Sequence, residues 1–178
     1  MSKITITEAL AELKTIDKRI EKKRQFILSY ILRQDMMKDP LEKDGGSISA
    51  IRREQQSIQD LLERKVSIRR AIQDANADTS VAIGNDTRTI ADWLVWRREV
   101  APLKQQFLNE LRAKIEATRQ DAQRKGIAVV NGEAVKPTDI IVNVNEQELA
   151  KQIEALEETL GILDGKLSLQ NALMTIDV

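Results

Sequence analysis

The chain has 178 residues, no cysteine and no histidine, and its 28 basic residues balance its 28 acidic ones. Disulfides, thiol catalysis and thiolate metal sites are thereby excluded, and the commonest general base and metal ligand is missing. A neutral chain also lacks the basic excess of a dedicated nucleic-acid binder. Charged residues make up 31%, aromatics only 3%, and hydrophobic residues 42%, a profile of long helices rather than sheets.

Thr5-Ile6-Thr7-Glu8 has the form of a capping box and predicts a helix start. Ile6, Leu10, Leu13, Ile20, Ile27 and Ile31 follow at steps that fall on one helical stripe. Asp17 and Arg24 interrupt that seam, and the basic run from Lys14 to Arg24 reads as a solvated helix face. Asp39-Pro40 is expected to end this helix, with Lys43 to Ser47 as a loop. Ile51, Ile58, Leu61, Leu62, Ile68 and Ile72 predict a second helix to about Ala75. The short connection makes residues 1–75 an antiparallel helical hairpin.

Residues 76–89 break the pattern. Val81-Ala82-Ile83 ahead of Gly84-Asn85-Asp86 predicts a loop or short hairpin. Asn85-Asp86-Thr87 matches a glycosylation sequon, which is taken as chance because no secretory signal precedes it. Thr89-Ile90-Ala91-Asp92 opens a third helix over 90–125. At 1.5 Å per residue its roughly 35 residues would span about 50 Å, so an elongated molecule is expected. Pro102 removes one backbone hydrogen bond and is expected to kink this helix near Trp96 to Ala101.

Gly126 ends the third helix. Ile127 to Val130, Asn131-Gly132 and Glu133 to Lys136 then carry the strongest short hairpin signal in the chain. Asp139 to Val144 would add a strand, giving a small β-hairpin or meander over 126–144. Asn145 is placed to cap a fourth helix, with Glu148 at its third position. Leu149, Ile153, Leu156, Leu160, Leu163 and Leu167 form the cleanest heptad seam. This helix is acidic, so pairing with the basic first helix is expected. Residues 145–178 thus comprise a seam helix and a tail that either frays or adds a strand. A length of 178 residues fits one domain or one domain with an elaboration, and one domain is expected overall.

No catalytic constellation emerges. Gly161 to Leu167 is one residue short of a phosphate loop, lacks its hydroxyl residue, and lies in an amphipathic run. Carboxylate neighbours such as Glu157 and Glu158 are ordinary on a charged helix. No cofactor, metal or small-molecule substrate is expected. There is no apolar run of about 18 residues, so no membrane span is expected. The opening MSKITITEALAELK is not of the secretory-signal type.

Several of these stretches resemble the septicolysin-like family of small helical bacterial and phage proteins. The shared elements are Glu8-Ala9-Leu10, the basic first helix, Thr87 to Asp92 followed by Trp96-Arg97-Arg98-Glu99, and the acidic seam helix ending in Leu163-Asp164-Gly165-Lys166-Leu167. The tail from Asn171 to Val178 departs from the pattern in lacking a tryptophan, and the stretch from Ile127 to Lys136 is longer. The resemblance implies a fold of long helices with β elements and assigns no catalytic residue.

The expected fold is mainly α, an elongated antiparallel helical bundle with coiled-coil-like seams and a small β insertion. The expected role is non-enzymatic: a structural or assembly protein that self-associates as a homo-oligomer with other structural proteins, in a phage virion or the cytoplasm. Membrane-active and nucleic-acid-associated roles are the alternatives. Candidate interface residues are Trp93, Trp96 and Arg97 as aromatic and arginine anchors. Val129, Val130, Ile140 and Val142 are candidates for edge pairing, and Leu156, Leu160 and Leu163 for the seam.

Overall fold

The computed structural model describes residues 3–133 and 136–178. Helices take up 71% of it, so the protein is mainly α. The chain divides into two compact units. The first comprises residues up to 78 together with 168–178, and the second is 79–167. The single domain expected from length does not anticipate this division: one boundary falls at a helix end and the other inside a helix.

The first unit is built on α1 (Ile6–Tyr30) and α2 (Ser47–Asp78). Thr5 caps α1 as its sequence predicts. Its hydroxyl accepts from the Glu8 amide, while the Glu8 carboxylate accepts from the Thr5 amide at 2.7 Å. These two bonds satisfy amides that a helix start leaves open. Ion pairs Lys23–Glu54 and Glu12–Arg64 run in opposite senses along α1 and α2, which makes the pair antiparallel, and Asp17–Lys65 joins the same two helices. The charged partners of α1 therefore lie on α2, not on the acidic last helix. Ile6, Ala9, Leu13, Ile16, Ile68 and Ile72 fill the core between them. Burying each isoleucine contributes about 1.5–3 kcal/mol.

The unit is closed by the far end of the chain. Strands β1 (Lys3–Thr5) and β6 (Thr175–Asp177) pair antiparallel, with Ile4 opposite Ile176. Ile176 is buried in the same core. The tail thus adds a strand, one of the two outcomes its sequence left open.

Helix α1 stops at Tyr30, ten residues before Pro40. Proline limits a helix but does not extend one to it. Leu32, Met36 and Met37, at 86%, 89% and 57% exposure, have no partner surface to reward further turns. Most helical stability comes from such packing.

The second unit begins with the hairpin β2 (Ser80–Ile83) and β3 (Asp86–Thr89), paired antiparallel around Gly84-Asn85. Gly84 has φ +57° and Asn85 does not have positive φ. That is the II′ pattern, with glycine first. Thr89 caps α3 (Ile90–Val95), accepting from the Asp92 amide. A π turn over Trp96–Val100 joins α3 to α4 (Ala101–Arg124). The Ala101 amide bonds to the Trp96 carbonyl, five residues back. The interruption expected between Trp96 and Ala101 takes this form because Pro102, in the first turn of α4, has no amide and crowds the carbonyl four residues earlier.

Helix α5 (Glu146–Leu173) starts where predicted, with the Asn145 side chain accepting from the Gln147 and Glu148 amides. The pairs Arg119–Glu146 and Arg97–Asp164 set α4 and α5 antiparallel. Ala101, Leu108, Leu149 and Leu156 form the core between them.

The hairpin at Asn131-Gly132 is corrected by the structure. Strand β4 (Val129–Val130) pairs in parallel with β5 (Ile140–Ile141). The Ile140 and Val142 amides donate to the Ala128 and Val130 carbonyls, both at 2.9 Å. A type I′ turn needs positive φ at both central residues, and only Gly132 has it, at +130°. The expected return strand includes Ala134 and Val135, which lie outside the described residues.

Candidate functional site

In the first unit the exposed apolar surface gathers at the closed end of the α1/α2 hairpin. Leu28 and Ile31 end α1, Leu32, Met36 and Met37 occupy the connection, and Ile48 opens α2; all six are at least half exposed. The connection is nevertheless tightly tied. The Asp39 carboxylate accepts from the Leu41 amide at 2.9 Å, the Ser47 amide at 2.7 Å and the Ser47 hydroxyl at 2.5 Å. These bonds, the Ser47 hydroxyl first, hold the Asp39 pKa below the usual aspartate value. Gly45 and Gly46 follow in the left-handed region at φ +91° and +87°, where larger residues are strained. The Arg33 guanidinium donates to the Met37 carbonyl at 2.7 Å, and the Met37 amide donates to the Gln34 carbonyl at 3.0 Å. Asp39, Ser47 and Arg33 are thus engaged inside the turn, and the leucine and methionine side chains are left outside.

Charge of both signs accompanies this tip. Between residues 31 and 53 there are five Lys or Arg (Arg33, Lys38, Lys43, Arg52 and Arg53) and four Asp or Glu.

In the second unit the α4/α5 pair carries a groove of about 300 Å³. Ile115, Leu149, Ala150 and Ile153 supply its apolar lining. Glu116, Glu146, Glu154 and Glu157 supply four carboxylates against one cation, Arg112. Glu146 is engaged by Arg119, whose bond, followed by that of Asn131, lowers its pKa. A separate apolar stripe runs along the outside of α3 and α4: Val95, Val100, Leu103 and Phe107, each at least 46% exposed. The π turn inserts one residue, so Val95 and Val100 share a face that plain helical spacing would have split.

The sequence candidates divide between core and surface. Trp93 is 3% exposed and donates from Nε1 to the Val81 carbonyl at 2.9 Å. It packs edge-on to Trp96 at 5.5 Å, and the Arg88 guanidinium lies 5.0 Å from its ring centroid. Asp86 pairs with Arg88 and raises its pKa. Trp93 is therefore an internal prop for the β2–β3 hairpin, not an exposed anchor. Trp96 is half-buried against the α4/α5 core, and Arg97 is exposed and bonded to Asp164 at 3.0 Å. Val129, Val130, Ile140 and Val142 are half-buried and paired with one another through β4 and β5. Leu156 and Leu163 are buried and Leu160 half-buried; Leu156 and Leu160 belong to the α4/α5 core. The seam faces inward, so these leucines are not offered to a second chain. The tip was missed because its signal is compositional: Leu32, Met36 and Met37 sit beside Pro and Gly, where no period organises them.

The shifted ionisable groups all move toward their charged forms: Glu8, Asp39 and Glu146 downward, Arg64 and Arg88 upward. Such shifts belong to caps and ion pairs. Among the described residues, no group of three or more Asp or Glu could hold a metal, and no helix is long and apolar enough to cross a membrane.

No protein-family model matches the chain, and no curated protein matches it. Among solved structures, the chain is similar to a functionally unknown conserved protein from Corynebacterium diphtheriae. The match has a TM-score of 0.57 and 18% identity, over 99% of this chain and 100% of that one. At that identity the likeness extends to the fold alone.

Proposed function

We propose that this chain is a non-enzymatic assembly protein that works by associating with further copies of itself, with a phage particle as its setting. The observation that carries the reading is the hairpin tip. Six large apolar side chains are at least half exposed around a turn that Asp39 ties to Leu41 and Ser47. Exposing such a cluster is costly unless something covers it, and methionine is the side chain that adapts most readily to a partner. The phage setting rests on the resemblance to the septicolysin-like proteins.

The test is the mass of the chain by light scattering between about 1 and about 200 µM, a range that reports dissociation constants of ordinary assemblies. Mass should rise with concentration, and Leu32→Ser combined with Met36→Ser should suppress the rise without altering helicity. A chain that stays monomeric throughout ends this reading. The same tip favours a second reading, contact with an anionic lipid surface, through apolar residues and neighbouring cations. Co-sedimentation with phosphatidylserine vesicles, lost in the same variant, supports that reading; no binding removes it.

A further inference from the structure

We infer that the outer face of α1 binds a single-stranded nucleic acid, with Lys14, Lys18, Arg19 and Lys22 taking the phosphates and Phe26 a base. The inference is separate from the self-association reading. It concerns another surface, and either can fail without the other.

Two observations carry it. The first is charge left over once the ion pairs are made. Helix α1 carries six cations and four acids. Each acid is already engaged: Glu8 by the Thr5 amide, Glu12 by Arg64, Asp17 by Lys65 and Glu21 by Arg24. Lys23 is taken by Glu54 of α2. Lys14, Lys18, Arg19 and Lys22 are exposed and make no ion pair or side-chain hydrogen bond among the described residues. The three lysines recur every fourth residue, so they stand in a row about 6 Å apart along the helix axis. Like charges at that spacing weaken a helix, and no acid of α1 is left to relieve them. A row of cations at this interval suits an extended polyanion, whose phosphates repeat on a similar scale.

The second observation is an aromatic ring beside the row. Arg19, Lys22 and Lys23 border a recess of about 250 Å³ together with Phe26, and its one lining acid, Glu54, is the partner of Lys23. Phe26 is half-buried and packs against Tyr30, with 4.8 Å between ring centroids. A ring fixed next to cations gives an unstacked base a platform, the means by which single strands are held without regard to sequence. A duplex keeps its bases stacked and would leave Phe26 unused. The zero net charge of the chain gives no steering from a distance, so the attraction is confined to this face. Ala11, Thr15, Gln25 and Ser29 share the face with the lysines and offer nothing apolar and bulky to insert into a bilayer.

The test is the fluorescence anisotropy of a labelled oligodeoxythymidine of about 20 nucleotides, titrated with the full chain between about 50 and about 200 mM salt. Binding should saturate, and log K should fall with log salt at a slope of about −2.8, four phosphates at about 0.7 each. Lys14→Gln, Lys18→Gln and Lys22→Gln combined should weaken binding at least about tenfold at the lower salt and flatten the slope to about −0.7. Phe26→Leu should weaken it at least about fivefold and leave the slope unchanged. Lys104→Gln, Lys114→Gln and Lys166→Gln combined remove as many exposed cations from α4 and α5 and should bind like the parent chain. Unchanged ellipticity at 222 nm establishes that the variants fold. No binding at the lower salt, or binding that ignores salt, overturns the inference. An equal loss in the two lysine variants also overturns it, because the attraction would then be diffuse. Equal affinity for a duplex, with Phe26→Leu neutral, refutes the single-strand assignment. Sedimentation with phosphatidylserine vesicles, lost in the α1 lysine variant while the oligonucleotide fails to bind, would give the face to a membrane instead.

Discussion

Ile68 and Val66 lie two residues apart on α2, and one is completely buried while the other is 67% exposed. Replacing each with alanine separates packing from helix propensity. Ile68→Ala removes three carbons from the core that contains Ile6, Leu13, Ile72 and Ile176. At about 0.8 kcal/mol per buried methylene, the transfer loss is about 2.4 kcal/mol. Incomplete collapse around the site adds about 1–2 kcal/mol at ~24 cal/mol per Å³ of residual cavity. Exchanging a β-branched residue for alanine returns about 0.5 kcal/mol of helix propensity. The net loss expected is about 3 kcal/mol. Val66→Ala keeps the propensity gain and forfeits little burial, so its stability should lie within about 0.5 kcal/mol of the parent. Urea unfolding followed by ellipticity at 222 nm measures both. A difference between the two variants below about 1 kcal/mol would refute the core assigned to the first unit.

Three further outcomes are expected. Gly84→Ala should destabilise the chain by about 1–2 kcal/mol; nothing lies within 4 Å of the added methyl, so the cost is backbone strain alone, and Gly84→Asn should recover part of it in a thermal melt. Trp93→Phe removes the donor to the Val81 carbonyl and should cost about 1–3 kcal/mol in urea, with faster amide exchange confined first to β2 and β3. The Glu8 pKa is lowered by the Thr5 bonds, the backbone amide first. The stability it contributes is therefore complete above the unfolded glutamate pKa and lost as pH falls through the lower folded value. An acid titration of the parent chain should show this dependence, and Glu8→Gln should reduce it while the contributions of Asp39 and Glu146 remain.

The parts of the fold that were legible carry local signatures. Thr5/Glu8, Thr89/Asp92 and Asn145 announce helix starts because a capping side chain must sit at a fixed distance from the amides it serves. Gly84 marked the β2–β3 turn for a similar reason. Asn131-Gly132 misled because turn chemistry is only a local preference, and Val129–Val130 pair in parallel with Ile140–Ile141 instead. The pairing of β1 with β6 was illegible: three-residue strands have no period, and their partners are separated by nearly the whole chain. Of the candidate site, sequence supplied apolar and aromatic residues without saying who covers them. Leu156 and Trp93 are covered by their own unit. Leu32 and Met36, which no pattern singled out, are left uncovered.

Closing the first unit with β6 has a consequence for the order of synthesis. Residues 168–178 leave the ribosome after every residue of the second unit, although Ile176 belongs to a core whose other members begin at Ile6. The second unit is contiguous in sequence and needs nothing made later. The α1/α2 hairpin, translated first, lacks both a core side chain and a strand partner until translation reaches the end of α5. Through that interval its β1 edge and its apolar seam are open to other nascent chains. Early exposure of the hairpin makes residues 168–178 a folding checkpoint, and their removal should leave the first unit unfinished.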